Sequence, residues 1–157
     1  WAVALALILR TFVVQSYWIP SGSMIPTLEI GDRVMAAKFW YLFSEPKRGQ
    51  VVVFKFPDDP KKDFVKRIIA LPGEKVEIQD GVVYVDGSAL EESYVKNQDS
   101  VSMLPLVVPE GHYFMMGDNR PHSWDGRYWD HHFVPKKAMR GPAFFRFWPL
   151  SRIGIPR

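Results

Sequence analysis

The sequence lacks cysteine, a hydrophobic run long enough to cross a membrane, and a helical pair of histidines. Without cysteine, neither a disulfide framework, nor a thiolate metal site, nor a cysteine nucleophile is possible. The adjacent His131 and His132 would point to opposite sides of an extended chain, which disfavours a metal site built with His122 and Asp130. We therefore expect no bound metal ion and no cofactor.

Composition favours a β-rich protein with one main core. At 157 residues and 47% hydrophobic content, the chain can bury one core and a small satellite. Its 13 prolines, 11 glycines and 15% aromatic residues favour short strands joined by turns. Residues 136–157 contain six basic and no acidic side chains, which indicates contact with anionic lipid headgroups or a solvated basic tail. Nucleic-acid binding is disfavoured, because no recognised motif or basic helix accompanies this charge.

Residues 1–18 form an almost uncharged segment whose only full charge is Arg10. The segment is too short to span a bilayer alone. We interpret it as the outer end of a transmembrane helix whose beginning lies outside this sequence. A cleaved signal peptide and an amphipathic helix of a soluble protein are the alternatives, although no small-residue cleavage site follows the segment.

The remainder predicts a mainly antiparallel β architecture. The Asp80-Gly81 pair between apolar alternating segments predicts a hairpin. Polar, turn-rich residues 86–109 indicate the loops of a small subdomain, and helix is expected only at the N-terminus and near residues 135–139. The segments that favour strands are 34–41, 51–56, 64–71, 76–78, 82–85, 113–116 and 143–148.

A constrained turn at residues 19–28 carries two serines. Its two prolines and one glycine exclude a regular helix, although Ser-Gly-Ser is also common in ordinary loops. A serine nucleophile needs a base within hydrogen-bond reach. A Ser/His/Asp triad is neither supported nor excluded by the positions of the four histidines, His112, His122, His131 and His132.

Lysine is the other candidate base. Alternation along the predicted strand places Lys66 on the face of Phe64, Ile68 and Ala70, where burial would lower the lysine pKa toward the range of a general base. A strand lysine that extends to solvent is the ordinary alternative. Arg67 shares the opposite face with apolar residues, so the alternation alone does not single out Lys66.

Three segments together resemble one known family. They are Pro20-Ser21-Gly22-Ser23-Met24, continuing to Gly31-Asp32-Arg33; Asp63-Phe64-Val65-Lys66-Arg67, continuing to Pro72-Gly73-Glu74; and Gly117-Asp118-Asn119-Arg120, continuing through Ser123 to Trp129. In this order they resemble the sequence boxes of the type I signal peptidases, membrane-anchored serine proteases that remove signal peptides.

The resemblance implies a role for individual residues. Ser23 would be the nucleophile and Lys66 the general base, while Ser21 and the Ser23 N–H would form the oxyanion hole. Ser123 would orient Lys66 by a hydrogen bond. Asp125 and Arg127 would form a charge pair behind the site, and Asp118 would brace the same loop.

The resemblance also implies the substrate and the location. The family binds extended signal peptides as an added strand and cleaves after small residues at the first and third positions before the cut. The residues that would line its shallow pockets, each of which could equally be plain core, are Tyr17, Ile19, Pro20, Met24, Leu28, Val34, Phe64 and Val65. Expected partners are preprotein signal peptides and membrane phospholipid, at the outer face of a bacterial cytoplasmic membrane.

On this interpretation the chain divides into an anchor remnant at 1–18, a catalytic β domain at 19–75 and 110–157, and an inserted β subdomain at 76–109. It departs from the family where Gly126 replaces a serine and where Asp130-His131-His132 follows Trp129. Two rival hypotheses are a self-cleaving repressor with the same dyad, disfavoured by the absence of a DNA-binding pattern, and a membrane-tethered β module that binds extended peptides without cutting them.

Overall fold

The computed structural model describes the backbone of residues 1–157 and every side chain except that of Phe12. Two helices and eleven strands follow one another along the chain, together with three short 3-10 turns. The helices are α1 (Ala2–Phe12) and α2 (Trp40–Phe43). The strands are β1 (Val14–Trp18), β2 (Arg33–Ala37), β3 (Val51–Lys55), β4 (Asp63–Ala70), β5 (Lys75–Gln79), β6 (Val82–Val85), β7 (Ser88–Ala89), β8 (Met103–Val107), β9 (His112–Met116), β10 (Phe133–Pro135) and β11 (Met139–Trp148).

The strands form two antiparallel sheets, which confirms the predicted fold class. A seven-stranded sheet has the order β1-β2-β11-β3-β4-β9-β10, and a four-stranded sheet has the order β7-β6-β5-β8. The predicted hairpin is present, since β5 pairs with β6 around Asp80 and Gly81, which both have positive φ. Residues 86–109 are not only loops, because β7 and β8 lie within them.

The N-terminal segment differs from the sequence prediction. The helix ends at Phe12, and residues 14–18 form β1, which pairs with β2 from Val14↔Ala37 to Trp18↔Arg33. No helix among the described residues is long and apolar enough to cross a membrane. Tyr17 packs against a buried cluster, so pairing and packing hold these residues in a strand rather than in a continued helix.

The strand predicted at 34–41 also ends early. β2 stops at Ala37, Phe39 has a positive φ of 62°, and Trp40–Phe43 forms the single turn α2. A bulky residue in the left-handed region interrupts the extended chain.

Three apolar clusters form the interior. One contains Phe54 and Ile68 of the seven-stranded sheet together with Trp129, which lies between β9 and β10. A second contains Ile69 and Phe114 of that sheet together with Val76 and Val83 of the smaller sheet, so the two sheets share buried contacts. The third contains Ile19, Met24, Leu28, Val34 and Val53, and supports the turn that carries the serines.

Candidate active site

The turn that carries Ser23 is held at both ends. Ile19 N–H donates to the Asp32 carbonyl, and Gly31 N–H donates to the Ile19 carbonyl, both at 2.9 Å. Inside this closed loop, Leu28 N–H donates to the Met24 carbonyl at 3.0 Å. Because Met24 and Leu28 are also buried, the position of Ser23 is set by packing beneath it.

Lys66 lies on the interior strand β4, opposite Val52 of β3. Its Nζ is 2.7 Å from the Ser23 Oγ, and both side chains are buried. The Phe64 ring centroid is 5.5 Å from the same Nζ. The structure therefore brings together the two residues for which the sequence predicts nucleophile and base.

Burial lowers the pKa of Lys66 to about 8, while the nearby Asp125 and Asp118 carboxylates act in the opposite direction. A substantial fraction of the amine is then neutral at mildly alkaline pH. Only the neutral amine can accept the proton of the Ser23 hydroxyl, so desolvation is the physical reason that this lysine can serve as a base.

Ser21 lies beside the nucleophile rather than in the interior. Its hydroxyl is 3.4 Å from the Ser23 Oγ, and the residue is exposed. The Ser23 N–H donates to no acceptor in the part of the chain that the structure describes. Two donors, a hydroxyl and a backbone N–H, are thus present next to the Ser23 Oγ.

The loop that follows β9 centres on the fully buried Asp125. Arg127 Nε lies 2.8 Å from Asp125 Oδ1, so the predicted charge pair is present. Ser123 differs from the prediction: among the described contacts its hydroxyl donates to Asp125 Oδ2 at 2.7 Å, and not to Lys66. Asp125 also accepts a hydrogen bond from the Gly117 N–H. Because Asp125 is nearer to Ser123 in the sequence than Lys66 is, it is the local partner of the Ser123 hydroxyl.

This loop also contacts the backbone of the nucleophile turn. Asn119 N–H donates to the Ser23 carbonyl at 3.0 Å, and the Asn119 side chain donates to the Gly22 carbonyl at 2.9 Å. A Cβ on Gly117 would lie 2.5 Å from the Ser23 carbonyl oxygen and 2.1 Å from the Ser123 Oγ. Glycine is therefore required at 117 by this close approach.

Asp118 joins the three motifs. It forms a buried ion pair with Arg67, with Nη2 to Oδ2 at 2.6 Å and Nε to Oδ1 at 2.9 Å. It also accepts a hydrogen bond from the Thr27 hydroxyl at 2.5 Å. The sequence prediction named Asp118 as a brace for its own loop but missed Asn119, Arg67 and Thr27, although each lies within a segment of the family pattern.

The two departures from the family pattern are neighbours in space. A Cβ on Gly126 would lie 2.9 Å from the carbonyl oxygens of His132 and Met115. His132 Nδ1 lies 2.6 Å from the Gly126 carbonyl oxygen. The chain after Trp129 thus occupies the space that a serine side chain at 126 would need.

The predicted pocket residues separate into four groups. Ile19, Met24, Leu28 and Val34 are buried in one cluster, and the half-buried Tyr17 and Val65 pack against it. Phe64 packs on the aromatic cluster instead, and Pro20 is exposed. The first group can form the floor of a groove, whereas the half-buried Tyr17 and Val65 retain surface that a peptide could contact.

The histidines have other partners. His131 Nδ1 lies 2.6 Å from Asp58 Oδ1, and His112 Nδ1 lies 2.7 Å from the Glu110 carbonyl oxygen. Within the described contacts, none of the four histidines hydrogen-bonds to Ser23. No cluster of three side chains suited to a metal ion was found among the described residues.

A buried serine and lysine in hydrogen-bond contact on an antiparallel β fold define a candidate hydrolase of the Ser/Lys class. The sequence matches the family described as "Signal peptidase, peptidase S26" over residues 1–148. The chain therefore belongs to this family, and it is a serine endopeptidase of the signal peptidase I type.

Its relatives include bacterial and chloroplast proteins. "Probable signal peptidase I-2" of Synechocystis sp. is 44% identical over 159 residues, which cover 98% of this chain and 72% of the relative. "Thylakoidal processing peptidase 1, chloroplastic" of Arabidopsis thaliana is 37% identical, over 97% of this chain and 47% of the relative. The crystal structure of a signal peptidase I from Enterococcus faecalis V583 is 34% identical, with a TM-score of 0.55, over 63% of this chain and 97% of that one.

Proposed function

We propose that this protein removes signal peptides from preproteins by acyl-enzyme chemistry, with Ser23 as nucleophile and Lys66 as general base. The observation that carries the proposal is the 2.7 Å contact between Lys66 Nζ and Ser23 Oγ in a buried site. Family membership supplies the reaction class, and the lowered pKa of Lys66, about 8, makes the neutral amine accessible.

In the first half-reaction, Ser23 Oγ attacks the scissile carbonyl carbon and its proton passes to Lys66 Nζ. The Ser23 N–H and the Ser21 hydroxyl donate to the oxyanion that forms. The Ser21 hydroxyl lies 3.4 Å from Ser23 Oγ, which supports its role as the second donor to the oxyanion. The intermediate collapses to an ester on Ser23, and the leaving amine takes the proton from Lys66.

In the second half-reaction, neutral Lys66 takes a proton from a water molecule that attacks the ester. The ester C–O bond breaks, Ser23 regains its proton from Lys66, and the signal peptide leaves with a free carboxylate. Burial of both side chains keeps the proton transfer local, because bulk water cannot compete for the same lone pair.

The substrate binds as an extended strand that ends in small residues. β1 is an edge strand of the seven-stranded sheet and leads directly into the nucleophile turn, so a peptide can pair near Ser23. The groove floor of Leu28 and Val34 is fully buried, which leaves shallow space for side chains such as that of alanine. This supports cleavage after small-x-small sequences.

The protein works at a membrane surface. The side chains of Val3, Leu5, Leu7 and Ile8 on α1 are exposed. Because the family is membrane-associated, we assign this apolar surface to contact with lipid. We place the catalytic sheet on the outer face of a bacterial cytoplasmic membrane, with membrane phospholipid as a partner. Because one relative is a thylakoidal peptidase, the thylakoid is the alternative membrane, and fractionation of the source cells distinguishes the two.

The test is cleavage of a purified preprotein in nonionic detergent, followed by sequencing of the new N-terminus. We expect a cut after a small-x-small triplet with the native protein, none with Ser23→Ala, and normal cutting with Ser151→Ala, which changes an exposed serine outside the site. Equal cutting by Ser23→Ala contradicts the nucleophile assignment. Peptide binding without cutting by the native protein would favour the binding-module alternative.

A further inference from the structure

A cavity lies on the side of β4 away from the Ser23–Lys66 pair. Lys66 and Arg67 are consecutive on this strand, so Lys66 faces Ser23 while Arg67 faces the other side. Arg67 and Thr27 line a cavity of about 990 Å³ there, and neither Ser23 nor Lys66 is among its described lining residues. The cavity is therefore separate from the groove proposed for the substrate.

The walls of this cavity are largely apolar. Val14 at the start of β1, Trp40 of α2 and Phe144 of β11 contribute to them, and Trp40 and Phe144 are exposed. Tyr94, from the segment between β7 and β8, contributes an aromatic ring that stacks on the Arg67 guanidinium at 4.0 Å. Strands of the seven-stranded sheet, the turn α2 and the segment between β7 and β8 thus line one largely apolar space.

The charge at the cavity is of one sign. Lys38, Lys96 and Arg157 line it, and no lining residue among those described is Asp or Glu. None of these three cations forms a side-chain ion pair within the described part of the chain, whereas Arg67 is neutralised by Asp118. An apolar space with unneutralised cations is complementary to a molecule with an anionic head and an apolar body.

We propose that this cavity binds an anionic membrane lipid, with its phosphate near the lysines and its acyl chains against Val14, Trp40 and Phe144. Val13, which immediately follows the exposed apolar helix α1, lines the cavity, so the cavity opens beside the element for which lipid contact is proposed above. The site is independent of whether Ser23 and Lys66 carry out cleavage.

The first experiment is calorimetric titration of the whole protein, in nonionic detergent, with short-chain phosphatidylglycerol and with phosphatidylcholine of the same chain length. We expect saturable binding of one phosphatidylglycerol, at least about fivefold tighter than phosphatidylcholine, because each basic side chain near an anionic headgroup contributes about a fivefold factor. Equal affinity for the two lipids overturns the proposal, as does equally tight binding of glycerol phosphate, which has no acyl chains.

Matched variants locate the site. Lys96→Gln should weaken phosphatidylglycerol binding about fivefold, while Lys61→Gln, at an exposed lysine outside the cavity, should not. Ser93→Trp places an indole at the cavity rim and should abolish binding, while Ser88→Trp on the exposed β7 should leave it intact. The proposal is wrong if Lys96→Gln binds the lipid as Lys61→Gln does and Ser93→Trp binds it as Ser88→Trp does, because the lipid then binds elsewhere. Ser23→Ala should bind the lipid normally, which separates this result from any failure of the proposed cleavage.

Discussion

Lys66 and Arg67 are adjacent on β4, yet their cationic groups lie in different buried environments. Among the described hydrogen bonds, Lys66 Nζ donates only to the Ser23 hydroxyl, at 2.7 Å, whereas Arg67 forms a two-point ion pair with Asp118. Burial without a paired carboxylate lowers the pKa of Lys66 to about 8, while the ion pair of Arg67 connects β4 to the loop that follows β9. One strand therefore supplies a base on one face and a structural ion pair on the other.

Activity should depend on the neutral form of Lys66. Because neutralisation is complete only above its pKa of about 8, kcat/KM should rise with pH through that value. Lys66→Arg should reduce kcat/KM by about 10²-fold or more, since a guanidinium does not release its proton. The pH profile of cleavage and the rate of the variant measure both effects, and a fully active Lys66→Arg protein would refute the general-base role.

Asp125 should influence the pKa of that base. Its carboxylate raises the pKa of Lys66 against the larger effect of burial, so Asp125→Asn should move the rising limb of the pH profile to lower pH. Asp99→Asn is the matched control, because Asp99 also pairs with Arg127 but has no such effect on Lys66. If kcat/KM rises at the same pH in the wild type and in Asp125→Asn, the electrostatic assignment is contradicted. Circular dichroism checks that both variants are folded.

Two glycines should respond differently to the same substitution. Gly117→Ala forces a Cβ against the Ser23 carbonyl and Ser123, so specific activity should fall at least about tenfold. Gly126→Ala forces a Cβ against the carbonyls of His132 and Met115, so it should lower the free energy of unfolding by about 1–3 kcal/mol and leave the specific activity of folded protein unchanged. Denaturant titration and cleavage rates, measured on both variants, separate the two effects.

Two buried tyrosine hydroxyls should differ in their contribution to stability. The Tyr41 hydroxyl donates to Gln50 Oε1 at 2.8 Å, so Tyr41→Phe should cost about 1 kcal/mol of unfolding free energy. The buried Tyr17 hydroxyl has no protein partner among the described atoms, so Tyr17→Phe should be neutral or stabilising. Denaturant midpoints compare the pair, and a larger loss for Tyr17→Phe would contradict the expectation.

The effect of deleting the N-terminal segment should depend on the residue at which the deletion ends. Removing residues 1–12 should reduce partition into detergent and leave the sheet folded, because β1 begins at Val14. Removing residues 1–18 deletes β1 and uncovers β2, so thermal stability should also fall. Phase partition and thermal denaturation measure the two properties. Unchanged partition of the shorter deletion would contradict the membrane role of α1.

The local sequence determined the fold class and most strands, because turn residues and alternation act over a few positions. The Asp80-Gly81 hairpin and the strand from Val51 are examples, and the three motifs were sufficient for family membership. The sequence also indicated that Lys66 shares a face with apolar residues. Each of these properties depends on residues close together in the chain.

Only the tertiary structure decided which groups meet. Whether residues 14–18 continue a helix or form a strand depends on β2, and the partner of Ser123 depends on how the loop after β9 folds around Asp125. The 2.7 Å approach of Lys66 to Ser23 spans 43 positions, and the cavity behind Arg67 is lined by residues near both ends of the chain and by residues between β7 and β8. Local pattern carries no information on such distances, because they arise when distant segments pack on a common core.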